Sequence, residues 1–496
     1  MLHHKPSQGL VYQIKKLGKH GAIYGIGSAS SRLISFLMIP LYTHFLTPAD
    51  YGVLQLVYLT TEVFSVIIGL RLAATVFRFY YEAEDLSERN TVISTALLGG
   101  GIAATVFLAP IFYLSSWLSG FVLAGKGQTA LFQMALLSLW LQIPVNVVLS
   151  YIQVREKSIL FVFISLSRLI TSFALNVYFV AIIQIGVQGI LLSGLIVDVV
   201  TFAVAMPLVV RSVGFRFSWE WFMKMLRFSL PLVPMSLASM VIHASDRYFV
   251  RGYLSLSDTG IYTFGYKIGN SIHSLLYVSF SQIWNARRFA IEKEATAPLI
   301  YSKIFTYFIG FTCFIGLGIS IFSKDIVRII SSDKYWQASD IIPLVVLCYV
   351  IYAIEDHVST AIYLKKKTER ISLAYMIAAA ANLCFNFLLI PRYGMYGAVF
   401  ATLFSFILLN VTIFSLAQKL YPIPFEWLRI SSIFLLCILL YFMSQYFSWL
   451  DFSWRCVINF SAWIAFPIVF WFLGLIKRDE KAALVYFSRR IMARFI

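Results

Sequence analysis

Residues 21–85 read GAIYGIGSASSRLISFLMIPLYTHFLTPADYGVLQLVYLTTEVFSVIIGLRLAATVFRFYYEAED. The pattern predicts two apolar helices joined by a tight turn at Leu46-Thr47-Pro48-Ala49-Asp50. Each run is long enough to cross a hydrocarbon core about 30 Å thick. Each also carries an ionisable residue near its middle, Arg32 in the first and Glu62 in the second. A charge at that depth costs about 2.5–3.5 kcal/mol on insertion scales, so it belongs away from lipid. Gly25, Ser28, Arg32 and Ser35 follow a three/four spacing, as do Gln55, Tyr58, Glu62, Ser65 and Gly69. Both helices therefore present one polar stripe on a greasy cylinder, the reverse of a soluble amphipathic helix.

The rest of the chain repeats this theme. Its 496 residues are 60% hydrophobic and only 13% charged, which indicates a polytopic membrane protein. About fourteen apolar runs follow one another, from 21–44 and 50–74 to 427–448 and 454–475. All are read as helices, because a lipid-exposed backbone must satisfy its polar groups internally and no barrel-like alternation is present. The fold class expected is all-α, with two six-helix lobes around a central cavity and two extra helices at the C-terminal end.

The formal charge of +17 reflects loop residues and not a nucleic-acid surface. With the N-terminus inside, the inner segments hold 28 Lys and Arg and the outer segments 8. The remaining four, Arg32, Arg71, Arg168 and Lys267, fall inside spans. Such a bias across short loops places both termini in the cytoplasm. The five cysteines sit in or beside apolar runs, with no CxxC and no Cys/His cluster, and read as small buried side chains.

An internal repeat is legible by eye. Phe45-Leu-Thr-Pro-Ala-Asp50-Tyr-Gly52 matches Tyr253-Leu-Ser-Leu-Ser-Asp258-Thr-Gly260, and Gly186-Val-Gln-Gly189 matches Gly394-Met-Tyr-Gly397 at the same offset. The expected organisation is a lobe at 1–210, a parallel repeat of it at 211–419, two further helices at 420–476 and a basic cytoplasmic tail at 477–496. Parallel repeats related by an axis along the membrane normal leave a crevice at mid-membrane, where secondary transporters hold substrate.

The intramembrane ionisable residues supply the candidate chemistry. Arg168 shares a stripe with Ser165, Ser172 and Asn176, and Lys267 shares one with Asn270, Ser271 and Ser274. Asp198 has Gly194 and Thr201 at helical spacing, and Glu355 and Asp356 lie beside Tyr352 and Ser359. Arg32, Arg168 and Lys267 are candidates to hold an anionic head group, arginine being suited to bidentate phosphate contacts. Glu62, Asp198, Glu355 and Asp356 are candidates to bind a coupling H+ or Na+. The competing reading is structural, with Arg32 pairing to Glu62 and Arg168 to Asp198 to lock helices together. No P-loop, HExxH, Ser/His/Asp arrangement or Gly-rich nucleotide signature is present, so a transporter is expected rather than an enzyme, with no cofactor.

The first-span pattern around Arg32, the Phe45–Gly52 turn and Arg78-Phe-Tyr-Tyr-Glu82 resemble the polysaccharide-biosynthesis flippases of the O-antigen type. Asp246-Arg247-Tyr-Phe followed by Gly260-Ile-Tyr-Thr-Phe-Gly-Tyr-Lys267 is similar to that family's seventh and eighth spans. These belong to the multidrug/oligosaccharidyl-lipid/polysaccharide flippase superfamily. The resemblance implies a bacterial inner-membrane protein that moves an undecaprenyl-pyrophosphate-linked oligosaccharide by alternating access, with the polysaccharide polymerase machinery as a further partner. Two alternatives share the plan, a cation-coupled multidrug exporter and a flippase for the peptidoglycan precursor lipid II. Three basic residues at depth favour an anionic cargo over a drug.

Overall fold

The structure is a computed structural model that describes residues 27, 30, 34–69, 72–123, 128–447 and 449–472. It is an all-α polytopic membrane protein. Ten helices among the described residues are long and apolar enough to cross a membrane, or eleven if Trp219–Ser229 and Leu232–Ala244, bent by 41°, form one broken span. Pro231, the residue before Leu232, lies at that break, where its ring disfavours a continuous helix. Of the first expected span only Ile34–Phe45 lies in a described helix.

The runs expected as separate spans, 370–390 and 394–418, are two helices that follow each other within Glu369–Gln418, a stretch of 50 residues. At 1.5 Å per residue a single helix of that length would reach roughly 75 Å, far beyond one bilayer core. The stretch is broken at Gly394, whose φ of 57° and ψ of −135° leave the helical region. The run expected over 259–283 is divided instead. Helices Leu256–Gly269 and Val278–Ile291 flank a π-helical turn, His273–Tyr277.

The contacts divide the chain into two units, residues 1–263 with 330–335, and residues 264–329 with 336–496. In the first unit the 45–52 turn has a defined geometry. Thr47 is an extended N-cap that accepts from the Asp50 amide, Pro48 opens the helix, and Asp50 bonds back to the Thr47 amide at 3.2 Å. This is a capping box, which satisfies amides that a helix start leaves orphaned. The repeat-related turn uses the same device, with the Asp258 amide donating to the Ser255 hydroxyl at 3.0 Å.

The two turns pack backbone on backbone. A Cβ on Gly52 would lie 2.2 Å from the Leu256 carbonyl oxygen, and one on Gly260 would lie 1.8 Å from that of Pro48. The contact is reciprocal and explains why glycine stands five residues after each cap. Residues 330–335 lie across the same place. Thr43 donates to the Ile330 carbonyl at 3.0 Å, Ser332 to that of Thr43 at 2.8 Å, and Tyr335 to that of Leu46 at 3.2 Å.

Gly260→Ala should therefore lower stability by about 1–3 kcal/mol or more, because two main chains must part. Gly101, whose added Cβ meets nothing within 4 Å, is the control. Gly101→Ala should be neutral or gain up to about 1 kcal/mol of helix propensity. Thermal unfolding of the detergent-purified protein separates the two, and equal midpoints would contradict the close crossing.

Further correspondences support the repeat at the level of backbone geometry. Glu156 (φ 56°) and Lys366 (φ 55°) are both left-handed inside turns that follow a helix, and both turns carry the same amide bonds. Lys157 donates to the Ile152 carbonyl just as Lys367 donates to that of Ile362. Gly186 (φ 60°) and Gly394 (φ 57°) likewise share a conformation that glycine adopts at little cost.

The centre of the first unit is Thr129–Val154, which is buried over most of its length and packs between Leu86–Tyr113 and Gly186–Val213. By contrast Ser158–Ile182 is only 6% buried over its apolar window, so neighbouring helices leave most of its length uncovered. In the second unit, the helix from Ile342 is interrupted near Ala353 and again at Ser359, which leaves the short turn Glu355–Val358 between them.

Candidate functional site

Asp198 is the centre of a buried polar cluster in the first unit. The Arg168 guanidinium approaches one carboxylate oxygen at 2.7 Å. The other oxygen accepts from the Gln142 amide at 2.7 Å and from the Ser138 hydroxyl. Three donors from two other helices thus converge on one carboxylate that is 3% exposed. A carboxylate taken out of water needs this full set, because removing one partner leaves an uncompensated charge. Ser138 and Gln142 are one helical turn apart in an otherwise apolar run, and that polar pair is the signal the sequence reading passed over.

Beside the cluster lies a cavity of about 300 Å³, lined by Tyr58, Thr61, Glu62, Ser65, Ser138 and Gln142 among others. Glu62 is exposed and makes no ion pair with another described residue. Two residues before Glu62, and outside the cavity lining, Thr60 and Tyr248 share a hydrogen bond of 2.9 Å between hydroxyls. Hydroxyl, amide and carboxylate groups thus face one hollow inside an apolar bundle. Such a hollow suits a hydroxyl-rich or hydrated ligand better than a bare apolar one.

Asp246 and Arg247, which their place at an outer helix end leaves to meet water or each other, are buried at 1% and 6% exposure. They pair with each other at 2.7 Å, and Tyr262 donates its hydroxyl to Asp246. Because Tyr262 follows the second of the two repeat-related turns, this bond ties the 246–253 helix to that turn.

The second unit holds the other expected carboxylates. Glu355, Asp356 and His357 are buried at 6%, 5% and 2% exposure. Arg288 reaches Asp356 at 3.2 Å and lies 4.3 Å over the Tyr363 ring. Its place between apolar runs counts Arg288 among the 28 inner cations, but the helix runs on to Ile291 and carries Arg288 into the packed interior of this unit. No spacing rule in the sequence marks it. Glu355 makes no ion pair among the described residues. Lys267 is exposed and likewise unpaired among them. Asn386 donates to Asn382 at 2.9 Å and Asn382 to Ser405 at 3.2 Å, the second bond joining the helices on either side of Gly394.

His357 has no hydrogen-bond partner at either ring nitrogen. Phe280, Trp284, Phe305 and Phe308 surround it at centroid distances of 4.7–5.4 Å. It acts as one more aromatic ring in a packed cluster. His357→Phe should change stability by less than about 1.5 kcal/mol, as near-isosteric apolar swaps do. A larger loss in thermal unfolding would show that a nitrogen of this ring is bonded.

Of the seven expected site residues, Arg168 and Asp198 meet directly, and Glu355 adjoins Asp356, which meets Arg288. Glu62 stands at the cavity beside the first cluster, and Lys267 lies in the second unit. Arg32 and Arg71 lie outside the described residues. No three His, Cys, Asp or Glu side chains converge to hold a metal ion among the described residues.

The model of the family described as polysaccharide biosynthesis protein matches residues 17–284, more than half of the chain. Lsg locus protein 1 of Haemophilus influenzae is 26% identical over 257 residues, which cover 50% of this chain and 60% of the relative. A second membrane protein of that organism is 25% identical over 256 residues with the same coverage. The chain therefore spans about 60% of the length of the curated relatives it matches. Among solved structures, the lipid II flippase MurJ in an inward closed conformation is similar at a TM-score of 0.72 and 15% identity, over 91% of this chain and 99% of that one. An inward-facing multidrug-resistance MATE transporter of the MOP superfamily is similar at 0.63 and 14% identity, over 81% and 95%. At these identities the likeness is one of fold.

Proposed function

The chain belongs to the polysaccharide biosynthesis protein family, and we propose that it is a flippase that moves a lipid-pyrophosphate-linked oligosaccharide across the bacterial inner membrane. The product serves surface polysaccharide or O-antigen assembly, and a polymerase acts after it. The observation that carries this reading is the polar hollow beside the Arg168–Asp198 cluster, in a bundle whose other faces are apolar. Sugar hydroxyls and a pyrophosphate need such a lining; a polyprenyl tail needs none and stays among acyl chains.

In this reading two lobes, 1–210 and 211–419, alternate access to the two membrane faces, 420–476 adds two helices, and 477–496 is a cytoplasmic tail. Arg32, Arg168 and Lys267 hold the pyrophosphate. Arg168 is shared with Asp198, so its contribution is a fixed guanidinium whose remaining N–H donors meet the anion. Asp198 and Asp356 each carry a guanidinium partner. Coupling to H+ or Na+ therefore falls first to Glu62 and Glu355, the carboxylates without an ion pair among the described residues.

A strain lacking the gene should lose surface polysaccharide and accumulate the lipid-linked oligosaccharide on the cytoplasmic leaflet. Lys267→Gln should restore neither, while reaching the membrane at normal level. Unchanged polysaccharide with altered drug accumulation would point to the exporter class instead. Accumulation of peptidoglycan precursor would point to lipid II as cargo, the substrate named for the structurally similar MurJ.

A further inference from the structure

A second hollow in the first unit lies away from the polar cluster, at the end of the bundle that the Lys/Arg bias assigns to the cytoplasm. It has a volume of about 260 Å³. Its head is polar and basic, formed by Arg155, Lys157 and Asn90. Its body is a greasy slot between the 158–182 and 186–213 helices, with Ile164 on one wall and Leu208 on the other. The first of these helices is only 6% buried over its apolar window, so the slot is left uncovered along it.

The two cations are arranged by the backbone. Glu156 is left-handed, at φ 56°, and Arg155 and Lys157 on either side of it both line the hollow while Glu156 does not. The Arg155 guanidinium lies 5.9 Å from the centre of the Tyr151 ring, a partner that does not neutralise it. Neither Arg155 nor Lys157 makes an ion pair among the described residues. The nearby acidic run is engaged in other contacts. Glu82 pairs with Arg78 at 3.7 Å, Asp85 accepts from the Glu88 amide at 2.7 Å, and Glu88 accepts from the Glu84 amide at 3.0 Å.

We infer that this hollow binds an anionic glycerophospholipid of the inner leaflet, its phosphate between Arg155 and Lys157 and an acyl chain along the slot past Ile164 and Leu208. Basic pockets between transmembrane helices on the cytoplasmic side recognise phospholipid head groups in this way. A soluble anion would use the two cations and leave the apolar slot empty, whereas a lipid fills both. The site is separate from the cargo site and does not depend on it.

The test uses the full chain purified in neutral detergent and native mass spectrometry, with phosphatidylglycerol, phosphatidylcholine and inorganic phosphate as probes. Phosphatidylglycerol should be retained about tenfold or more over phosphatidylcholine, and R155Q/K157Q should erase that preference. K365Q/K366Q/K367Q, at the repeat-related turn, should keep it. If R155Q/K157Q does not fold, Ser212→Trp obstructs the lining at an exposed position and should also weaken retention with both cations intact. Equal retention of phosphatidylglycerol by the native protein and by R155Q/K157Q, or by native protein and Ser212→Trp, overturns the assignment. So does displacement of the lipid by millimolar inorganic phosphate, which would mark a site for soluble anions.

Discussion

Arg168→Ala is expected to destabilise the protein by about 3–5 kcal/mol, the cost of leaving one member of a buried pair uncompensated. Asp198 is nearly sealed from solvent, and the guanidinium at 2.7 Å is its sole ionic partner among the described residues. Ser138 and Gln142 remain as donors in the variant, but neutral hydrogen bonds do not cancel a buried charge. Adding Asp198→Asn removes that charge and should recover most of the loss, since replacing both partners is far milder than breaking the pair. Unfolding of the single and double variants measures the coupling directly. Transport then separates the two readings of Arg168. If the guanidinium only locks helices, Arg168→Ala/Asp198→Asn should flip cargo normally; if it also holds pyrophosphate, the double variant should be stable and inactive. A single variant as stable as the parent would remove Asp198 from the account as a charged group.

The second large effect is expected in the other unit. Arg288→Met leaves Asp356 buried at 5% exposure beside Glu355, with its cation gone. The loss should again be about 3–5 kcal/mol, and Asp356→Asn in the same chain should return much of it. The Tyr363 ring under Arg288 adds to the loss, because stacking of the guanidinium at 4.3 Å disappears with the charge. Glu355→Gln alone should behave differently. Glu355 has no ion pair to lose among the described residues, so stability should hold while transport falls if this carboxylate carries the coupling ion. Thermal unfolding alongside a transport assay reads both quantities on the same preparations.

Much of the architecture was legible because it rests on local chemistry. Thr47, Pro48 and Asp50 are a helix start by side-chain type alone, and Ser255 with Asp258 repeats it at a fixed offset. Gly52 and Gly260 stood out as matched residues, but the reason for them is tertiary: each lies under the other turn's carbonyl. The polar stripes identified Arg168 and Asp198, and their pairing was one of two readings that spacing alone leaves open. Ser138 and Gln142 were missed because two uncharged residues in an apolar helix look like ordinary lipid-tolerated polar groups until a carboxylate faces them. Arg288 was missed for a different reason. Loop charge counting treats any cation beyond a span as solvated, and only the continuation of the 278–291 helix shows that this one is buried. For Asp246 and Arg247 the sequence leaves water and mutual pairing both open, and the structure shows the pair, with Tyr262 donating to Asp246.

The most direct test of the central claim is flipping itself. Protein reconstituted into liposomes of bacterial phospholipid, with a fluorescent undecaprenyl-pyrophosphate oligosaccharide in both leaflets, is treated with an external enzyme that modifies only exposed sugar. Nearly all of the glycolipid should become accessible with the native protein and only the outer-leaflet half with Lys267→Gln. Accessibility that stays at the outer-leaflet half with native protein, under both a pH and a sodium gradient, would contradict it.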